Sequence, residues 1–556
     1  MNQKHVQTFT WYDTETSGIN HEFDQIYQFA SVKTDADLNI IPNSEKNLLC
    51  KPRLDVIPQP GAFLTHMIDI DELKQGMSEL ELSNIIANEF LSNPANMISG
   101  YNTISFDDEI VRRLMFRNMR DPYVHEWTES NGRFDLYKMV QMVYALRPEM
   151  LTWRKNDKNA DSLKLEHLIE DNNLLDIGHK AHDALSDVYA TISLARHLKE
   201  QNPDLFNYML KLTMKQNVNE ILFGEYDISK RSPVIDINTI YGQAKRYSSV
   251  VLPIIGDLKN KSKVLCVDLT KDPTDLFGMS PQDINKYLFT KREELEAHAP
   301  RVPAVGISVN KMPVILKMGP NTLSQDRADS MDIDLEQIEE NRRRVVEFIN
   351  KDPKFIQRLQ QGFNSEHKDS ANRDAYSSIY TGFFNDNDKN VRGRLLLKDS
   401  VKDNSAYLIK SCDVYEEANK SSNKQLQFDL ILRAKWTNHF REILTEGGYS
   451  SLEFSKWLEF VNDSLFSGEK GGTFEEFYSE IARYKTEKAL NPKEIEILKK
   501  VEHHVEEMKR VLGILEKTND KIQDNINLEK QSNKHIQRFE RLMSKSNEKE
   551  ASGFEC

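Results

Sequence analysis

The sequence predicts three successive folding units: an α/β unit, a smaller β-rich unit and a mostly helical unit. In the first 200 residues, β-rich runs alternate with amphipathic segments of helical period, which is typical of a partly parallel sheet. Between about 230 and 320, short β-rich runs are separated by clusters of Gly, Pro, Asn and Lys. Beyond about 330 the pattern is mostly helical and rich in Lys, Glu and Asn. We therefore place the units at 1–200, 201–350 and 351–490, followed by a helical tail at 491–556.

The α/β unit is predicted from two strands and three helices. The β-rich run TFTWYDTETSG ends in turn residues, and NMISGYN has the pattern of a buried strand that leads into a turn. Helical periodicity marks residues 78–90, the amphipathic run DDEIVRRLMFRN and residues 183–198. Strands that alternate with helices indicate that part of the sheet is parallel.

The β-rich unit contains four candidate strands and one helical insertion. The strands are SSVVLPIIG, SKVLCVDLT, PAVGISVN and MPVILKMG, and the insertion lies near DINKYLFTKREELEAH. Short strands bounded by turn residues indicate a small β domain.

A heptad pattern distinguishes the tail. Apolar residues recur at alternating steps of three and four, with Asn519 filling the one gap, at Leu498, Val501, Val505, Met508, Leu512, Leu515, Ile522 and Ile526. Two interpretations remain open: a long helix packed on its own domain, or a coiled coil through which the chain self-associates. After Leu528 the segment becomes polar, and we expect its end to be disordered.

Composition excludes several classes of protein. A hydrophobic share of 39% and a charged share of 29% are typical of a soluble globular protein, and no apolar run reaches the roughly eighteen residues of a membrane span. The N-terminus lacks the cationic and apolar segments of a signal peptide. The cysteines form no CxxC pair, which argues against zinc and disulfides and predicts a cytoplasmic protein; they are Cys50, Cys266, Cys412 and Cys556.

Two carboxylates end the first predicted strand. Asp13 and Glu15 are two residues apart in WYDTETSG, so their side chains point to the same face of the strand. Side by side they repel each other and are costly to desolvate, and a divalent cation removes that conflict. An exposed acidic turn has the same local pattern, so this pair alone does not define a site.

A third carboxylate follows the second predicted strand. Gly100 and Asn102 permit a sharp turn there, and Asp107 lies where a helix begins. An Asp at a helix start commonly caps backbone amides and needs no ligand to explain it. Asp108 is the candidate for that cap, which would leave Asp107 facing the site.

The segment HKAHDALSDVYATI contributes a histidine and a fourth carboxylate. His182 and Asp187 are five residues apart, which is about 140° off-face if both lie in one helix. They converge only if His182 lies in the preceding loop and Asp187 projects from the first turns, with Asp183 as the N-cap. A loop histidine at a helix start is more often structural than catalytic.

The conjunction of these residues predicts a metal-dependent site for phosphodiester hydrolysis. Four acids suit two Mg²⁺ ions, with Mn²⁺ as the alternative, and ions about 4 Å apart can bind both the attacking water and the leaving oxygen. A histidine can take the proton from that water, because its ordinary pKa lies close to working pH. The combination is specific, although none of its parts is.

These residues and their order resemble the DEDDh branch of the DEDD exonuclease superfamily. Segments along residues 8–450 resemble its bacterial single-strand DNA exonucleases, in the same order: PQPGAFLTHM, GYNTISFDDE, RNMRDPYVHEW, YALRPE, LKLEHL, AHDALSDVYATI, VNKMPV and YTGFFNDND. The resemblance implies a ribonuclease H-like exonuclease domain, an SH3-like β domain and a mostly helical C-terminal domain. Together these would enclose a groove for single-stranded DNA.

Carried over residue by residue, the resemblance assigns five catalytic residues. It implies that Asp13 bridges two metal ions, with Glu15 and Asp187 completing one metal site. Asp107 would support the second ion, and His182 would act as the general base.

The implied groove should carry cations for phosphates and aromatic rings for stacked bases. The candidates are Arg112, Tyr123 and Trp127, although Arg112 could instead pair with a nearby acid and Trp127 could belong to the core. Lys164 stands where the family has an arginine, and a lysine cannot form the arginine fork on a phosphate. Residues at the catalytic acids are further candidates for contact with the terminal nucleotide: Thr14, Glu15 and Phe106.

The resemblance implies 3′→5′ hydrolysis of single-stranded DNA to 5′-mononucleotides, in DNA repair and recombination. An RNA 3′-trimming enzyme of the same superfamily is one alternative, because the catalytic acids do not distinguish sugars. An inactive nucleic-acid-binding scaffold is another, favoured by the heptad tail and disfavoured by the intact acids. The net charge of −13 also lowers the expectation of DNA binding. The implied protein partner is the acidic tail of single-strand DNA-binding protein, and no membrane partner is expected.

Overall fold

The computed structural model describes residues 7–174, 183–296, 298–364, 374–398, 407–468 and 472–551. Side chains are described as far as residue 524, apart from residue 292.

A five-stranded mixed sheet forms the centre of the first unit, in the order β3-β2-β1-β4-β5. β1 (Thr8–Thr16) pairs antiparallel with β2 (Ile26–Asp35) and parallel with β4 (Asn96–Gly100). β3 (Lys46–Leu49) and β5 (Gly132–Asp135) form the two edges. The sheet is therefore partly parallel, as predicted.

Helices cover both faces of this sheet. Within the described residues they are α1 (Pro60–His66), α2 (Ile70–Leu73), α3 (Glu79–Leu91), α4 (Asp107–Arg117), α5 (Leu136–Leu146), α6 (Leu165–Asp171), α7 (Ala184–Gln201), α8 (Pro203–Leu212) and α9 (Lys215–Phe223). A capping box of Ser78 and Glu81 begins α3. The predicted cap of α7 is present, since the Asp183 carboxylate accepts a hydrogen bond from the Ser186 amide.

The alternation of side chains along β1 divides its residues between two cores. Phe9 and Trp11 pack in one core with Val188 and Ile192 of α7. Tyr12 packs on the opposite face, in a core that includes residues of α3 and α4. The first of these cores continues into the second unit, so these two units share a packed apolar interior.

The second unit is built on a five-stranded sheet in which all neighbouring strands are antiparallel, in the order β10-β6-β7-β8-β9. Its strands are β6 (Val234–Ile237), β7 (Ser248–Gly256), β8 (Lys263–Asp268), β9 (Ala304–Ser308) and β10 (Val314–Lys317). The helical insertion comprises α10 (Thr274–Gly278) and α11 (Pro281–Phe289). After the sheet come α12 (Gln325–Ser330), α13 (Leu335–Lys351) and α14 (Lys354–Phe363).

In the described residues of the third unit, the regular secondary structure is helical, apart from an isolated β-bridge. Its helices are α15 (Asp386–Leu395), α16 (Leu408–Ser411), α17 (Val414–Asn419), α18 (Lys424–Glu446), α19 (Ser451–Phe466), α20 (Phe474–Glu487) and α21 (Pro492–Ala551). Trp436 and Trp457 lie in a core that also contains Phe63 and Phe116 of the first unit. The helical unit is therefore packed directly on the first unit.

Helix α21 contains the heptad positions and packs against α1, α2 and α19. The heptad residues from Leu498 to Leu515 are buried in the shared core, and Ile522 is partly buried against it. Lys74, the C-cap residue of α2, forms an ion pair with Glu507 of α21 at 3.0 Å. This arrangement agrees with the first of the two interpretations in that the helix packs within its own chain, but α1 and α2 of the first unit cover it as well as α19 of the third. The helix continues through the polar segment, and residues 552–556, at the predicted disordered end, lie outside the described residues.

No helix within the described residues has the length and apolar character needed to cross a membrane.

Candidate active site

The site lies where β1, β4 and α7 meet. The alternation that places Phe9 and Trp11 beneath α7 also carries Asp13 and Glu15 toward the start of that helix. β1 and β4 run parallel, so their carboxyl ends meet at one edge of the sheet, and the turn after β4 leads to Asp107. The local sequence thus brings carboxylates from three elements to one place.

Three of the predicted ligands form a compact group. Asp13, Glu15 and Asp187 each offer one carboxylate oxygen, and these oxygens all lie within 4.8 Å of one another. Asp187 lies in the first turn of α7, as its predicted convergence with the strand acids requires. Carboxylate oxygens are the ligands that Mg²⁺ and related hard cations prefer.

Asp107 is the first residue of α4 and is held by β1. Its carboxylate accepts hydrogen bonds from the Thr14 amide at 3.1 Å and from the Thr14 hydroxyl at 2.6 Å. Its charge also raises the pKa of Asp13, which places it beside the group of three. Thr14, a candidate for contact with the nucleotide, therefore orients Asp107.

The predicted cap of α4 is absent. Phe106 occupies the N-cap position, and its side chain makes no capping hydrogen bond. Asp108 instead accepts hydrogen bonds from the Tyr12 hydroxyl at 2.6 Å and from the Arg133 guanidinium at 2.7 Å. The Asp108 carboxylate therefore binds partners distant in the sequence instead of the backbone amides of α4.

The electrostatics of the site are those of carboxylates placed close together. Burial, followed by the charges of Asp107, Glu15 and Asp187, raises the pKa of Asp13 well above its ordinary value. Burial and the charge of Asp187 raise the pKa of Glu15 in the same way. Burial raises the pKa of Asp107 to about 7, although the Thr14 hydrogen bond opposes the shift.

A divalent cation fits this donor set. Burial and the charges of neighbouring carboxylates raise the pKa values of Asp13 and Glu15. Desolvated carboxylates are stable as anions only when a positive charge neutralises them. The oxygens that repel one another are also the oxygens that could share an ion.

His182, the predicted general base, belongs to residues 175–182, which lie outside the described residues. Its role stays a prediction. The described chain resumes at Asp183, immediately before α7.

Arg112 is paired with acids in this structure. It is 5% exposed, and its guanidinium donates to Glu126 at 2.6 Å and to Glu109 at 2.7 Å. This is the pairing with nearby acids that the sequence left open. Its contact with DNA stays a prediction.

The aromatic candidates and Lys164 are more accessible. Trp127 is 65% exposed and is not part of the core, and Tyr123 is half-buried with the Arg112 guanidinium 5.8 Å from its ring centroid. Lys164 directly precedes α6, and its side chain is 68% exposed and 3.3 Å from Glu166. Their contact with DNA stays a prediction.

A cavity of 1620 Å³ next to these aromatic residues is lined by residues of all three units. Tyr123 and Trp127 line it together with Lys311 of the second unit and Tyr380 and Phe383 of the third. Tyr380 and Phe383 were not predicted from the sequence; their ring centroids lie 6.5 and 5.8 Å from that of Tyr123. Exposed aromatics in YTGFFNDND are the signal that could have identified them.

Two protein families match successive parts of the chain. The family described as Exonuclease matches residues 10–195, and the family described as Exonuclease I SH3-like domain matches residues 213–365. The three-part fold class predicted from the sequence is confirmed, while the unit boundaries stay predictions.

The chain is also similar to characterised bacterial proteins over most of its length. It is 30% identical over 448 residues to exodeoxyribonuclease I of Escherichia coli strain K12, which is 80% of this chain and 91% of that protein. It is 32% identical over 386 residues to exodeoxyribonuclease I of Haemophilus influenzae, or 69% of this chain and 78% of that protein. The similarity thus spans all three units.

Solved structures resemble the fold across about nine-tenths of the chain. An exonuclease I from Methylocaldum szegediense superposes with a TM-score of 0.78 at 28% identity, covering 90% of this chain and 99% of that one. E. coli exonuclease I in complex with a dA16 oligonucleotide gives 0.76 at 28% identity, covering 90% of this chain and 100% of that one. A zinc-bound form of the E. coli enzyme with single-stranded DNA gives 0.75 at 27% identity, covering 91% and 100%.

Proposed function

The chain belongs to the exodeoxyribonuclease I family, and we propose that it degrades single-stranded DNA from the 3′ end by metal-dependent phosphodiester hydrolysis, releasing 5′-mononucleotides. The acid group of Asp13, Glu15 and Asp187 carries this proposal. Among the described residues it is the group of metal-ligating side chains close enough to share an ion. The E. coli relative in complex with single-stranded oligonucleotides supports the choice of substrate.

Asp13, Glu15, Asp187 and Asp107 would hold the divalent cations, which we take to be two Mg²⁺ ions, with Mn²⁺ as the alternative. Such ions would supply Lewis-acid stabilisation of the charge that develops on the phosphate oxygens. Thr14 orients the Asp107 carboxylate through two hydrogen bonds. His182 remains the candidate for accepting the proton of the attacking water.

The cavity of 1620 Å³ supplies a path for the single strand. Its exposed aromatic rings, Trp127 and Phe383 among them, can stack on unpaired bases of any sequence. A paired duplex hides the faces of its bases from such rings. This explains a preference for single strands without any sequence preference.

The test is digestion of DNA with labels that report direction. A single strand carrying phosphorothioate linkages at its 3′ end should resist, while the same strand protected at its 5′ end should be degraded to mononucleotides in Mg²⁺. Duplex DNA and single-stranded RNA of the same sequence are run beside them. A strand degraded from its 5′ end contradicts the proposed polarity, and a preference for RNA selects the RNA-trimming alternative.

Asp236→Asn is the matched control for Asp13→Asn in this assay. Asp236 is also a buried carboxylate, and burial raises its pKa to about 6, but it lies in β6 and accepts a hydrogen bond from Tyr241. Loss of digestion in Asp13→Asn with normal digestion in Asp236→Asn supports the site. Binding without cleavage by the wild type would favour the scaffold alternative.

Roles in DNA repair and recombination, a cytoplasmic location and binding of the tail of single-strand DNA-binding protein are further proposals from the family. A pull-down with the acidic tail peptide, compared with a scrambled peptide, tests the last of these.

A further inference from the structure

Two adjacent carboxylates at the start of α4 have different partners on β1. Asp107 accepts hydrogen bonds from the Thr14 amide and hydroxyl. Asp108 accepts one from the Tyr12 hydroxyl at 2.6 Å and one from the Arg133 guanidinium at 2.7 Å. Because these two aspartates are consecutive in the first turn of one helix, a shift of Asp108 also moves Asp107.

The hydrogen bonds of these two carboxylates hold the first turn of α4 in place, where a capping side chain is absent. Phe106, at the N-cap position of α4, makes no capping hydrogen bond through its side chain. Both aspartates are buried, so the hydrogen bonds that they make are sheltered from water. The position of the proposed metal ligand Asp107 therefore depends on what holds its neighbour.

Arg133, in β5, joins Asp108 to the second unit. Its guanidinium also lies 3.2 Å from Glu126 and donates to the backbone carbonyl of Asn310 at 2.9 Å. Asn310 lies in the turn between β9 and β10. An arginine presents its donors in a rigid planar fork, so binding three partners at once fixes its orientation.

The same turn makes a second contact beneath α4. The Met312 sulfur accepts a hydrogen bond from the Asp135 amide at 3.3 Å. The Asp135 carboxylate in turn accepts from the amides of Asn102 and Ile104, at 2.8 and 3.2 Å, in the turn that leads into α4. Residues 310–312 thus contact both supports of the helix start.

We propose that Arg133 is a positioning residue for the reaction: it holds Asp107 in place through Asp108, and residues 310–312 of the second unit support it. This inference rests on the proposed function. It explains in physical terms why the nuclease unit would depend on the β-rich unit for chemistry as well as for binding DNA. Partners that orient metal ligands typically change metal affinity or activity about 10–100-fold when they are removed.

The first experiment compares Arg133→Gln, Arg133→Lys and Tyr12→Phe with wild type. We expect kcat on single-stranded DNA to fall about 10–100-fold in Arg133→Gln, with partial recovery in Arg133→Lys and a smaller fall in Tyr12→Phe. Arg133 also lines the cavity of 1620 Å³, so kcat, and not KM for DNA, is the quantity that reports its positioning role. The Mg²⁺ concentration that gives half of the thermal stabilisation should rise in the same order, which is a readout independent of turnover.

Arg358→Gln is the matched control for this series. Arg358 also bridges a carboxylate and a backbone carbonyl, Asp352 at 2.8 Å and Phe277 at 3.1 Å, but within the second unit. It should lower thermal stability without changing kcat or the Mg²⁺ midpoint.

The second experiment displaces the turn while leaving Arg133 in place. Proline at position 311 removes the amide N–H that donates to the Ser308 carbonyl at 3.2 Å, and it restricts the backbone conformation of Asn310. We expect the Asn310 carbonyl to move away from Arg133 as a result. Lys311→Pro should lower kcat, whereas Lys311→Ala, which removes the cavity-lining ammonium and keeps the turn, should raise KM for DNA instead. In an Arg133→Gln background Lys311→Pro should add little, because both changes act through one contact.

Several results would overturn the inference. Arg133→Gln could leave kcat and the Mg²⁺ midpoint unchanged, or change KM for DNA alone. It could also lose only as much thermal stability as Arg358→Gln, with no further loss of kcat. Finally, the effects of Arg133→Gln and Lys311→Pro on kcat could be additive. Wild type that does not digest single-stranded DNA would instead refute the proposed function, so the two failures are distinguishable.

Discussion

Two groups of carboxylates in this protein have opposite electrostatics. At the candidate active site, burial and the charges of neighbouring carboxylates raise the pKa values of Asp13, Glu15 and Asp107. At the start of α3, Glu79 is only 3% exposed, but the charges of Arg117 and Arg53 overcome the effect of burial and lower its pKa to about 2. Asp13 and Glu15 are half-buried and Glu79 is buried, so the opposite pKa shifts come from the charges of the neighbours and not from the depth of burial.

The Glu79 group connects the nuclease unit to the helical unit. Glu79 accepts hydrogen bonds from Arg117 at 2.6 Å, from Arg53 at 3.1 Å and from Asn118 at 2.9 Å. Asn118 in turn accepts from Asn438 of α18 at 3.1 Å. The ring centroid of Tyr376, in the helical unit, lies 5.8 Å from the guanidinium carbons of Arg53 and Arg117. A carboxylate that is neutralised in this way has a structural role.

The comparison separates structural acids from functional ones. A buried carboxylate with arginine partners is complete as it stands, and removing it leaves charges unpaired. A carboxylate whose described neighbours are other carboxylates is stabilised as an anion by a bound cation. The second arrangement lowers the stability of the metal-free protein, so retaining it requires a functional reason.

The largest effect is expected from Asp13→Asn. It removes one member of the acid group, so digestion of single-stranded DNA should fall below detection, as measured by release of labelled mononucleotide. It also relieves repulsion, so the melting temperature in EDTA should rise above that of wild type. A variant that loses activity but also melts lower would show that Asp13 has a structural role like that of Glu79.

The next largest effect is expected from Glu79→Gln, which leaves Arg117 without its buried counter-charge, while Arg53 keeps its buried ion pair with Asp55. Breaking a buried ion pair typically costs about 3–5 kcal/mol, and urea unfolding at neutral pH measures it. Glu416→Gln is the control, because its exposed pair with Lys420 should contribute less than about 1 kcal/mol. Where the variant remains folded, its digestion rate should equal that of wild type.

The pH dependence of stability should identify the Glu79 group independently. Its pKa is about 2 in the folded state against an ordinary value of 4.5. A depressed pKa means that the carboxylate stabilises the fold above pH 4.5 and that this contribution is lost as the pH falls toward 2. The difference of 2.5 units corresponds to about 3 kcal/mol. The gap in unfolding free energy between wild type and Glu79→Gln should therefore narrow across this window; a constant gap would contradict the assignment.

Local spacing made the acid group predictable from the sequence. Asp13 and Glu15 share a strand face by their two-residue spacing, and Asp187 lies one turn beyond a capping Asp183. Arg112 and Asp108 could not be assigned in this way. The partners of Arg112 include Glu126, fourteen residues away, while Asp108 pairs with Arg133, twenty-five residues away. Such partners are chosen by the tertiary fold, and no local period marks them.

The fold class could be predicted from local patterns, but the packing of α21 could not. The alternation of strands and helices predicted the fold class, and the heptads of α21 predicted a helix with one apolar face. What covers that face was not predictable, because an apolar stripe packs equally well on its own domain or on a second chain. The structure places it against α1, α2 and α19, which only long-range packing decides.

The smallest effect, and the one that tests the comparison most directly, is stabilisation by Mg²⁺. An ion that binds only the folded protein stabilises it by about 2.7 kcal/mol at one hundred times its dissociation constant, so Mg²⁺ should raise the melting temperature of wild type above that in EDTA. Asp13→Asn should show little or no rise. Glu79→Gln, although less stable, should show the same rise as wild type, because distant groups without shared partners act additively. A rise that is lost in Glu79→Gln would mean that the two groups are coupled and that the paired acids also support the site.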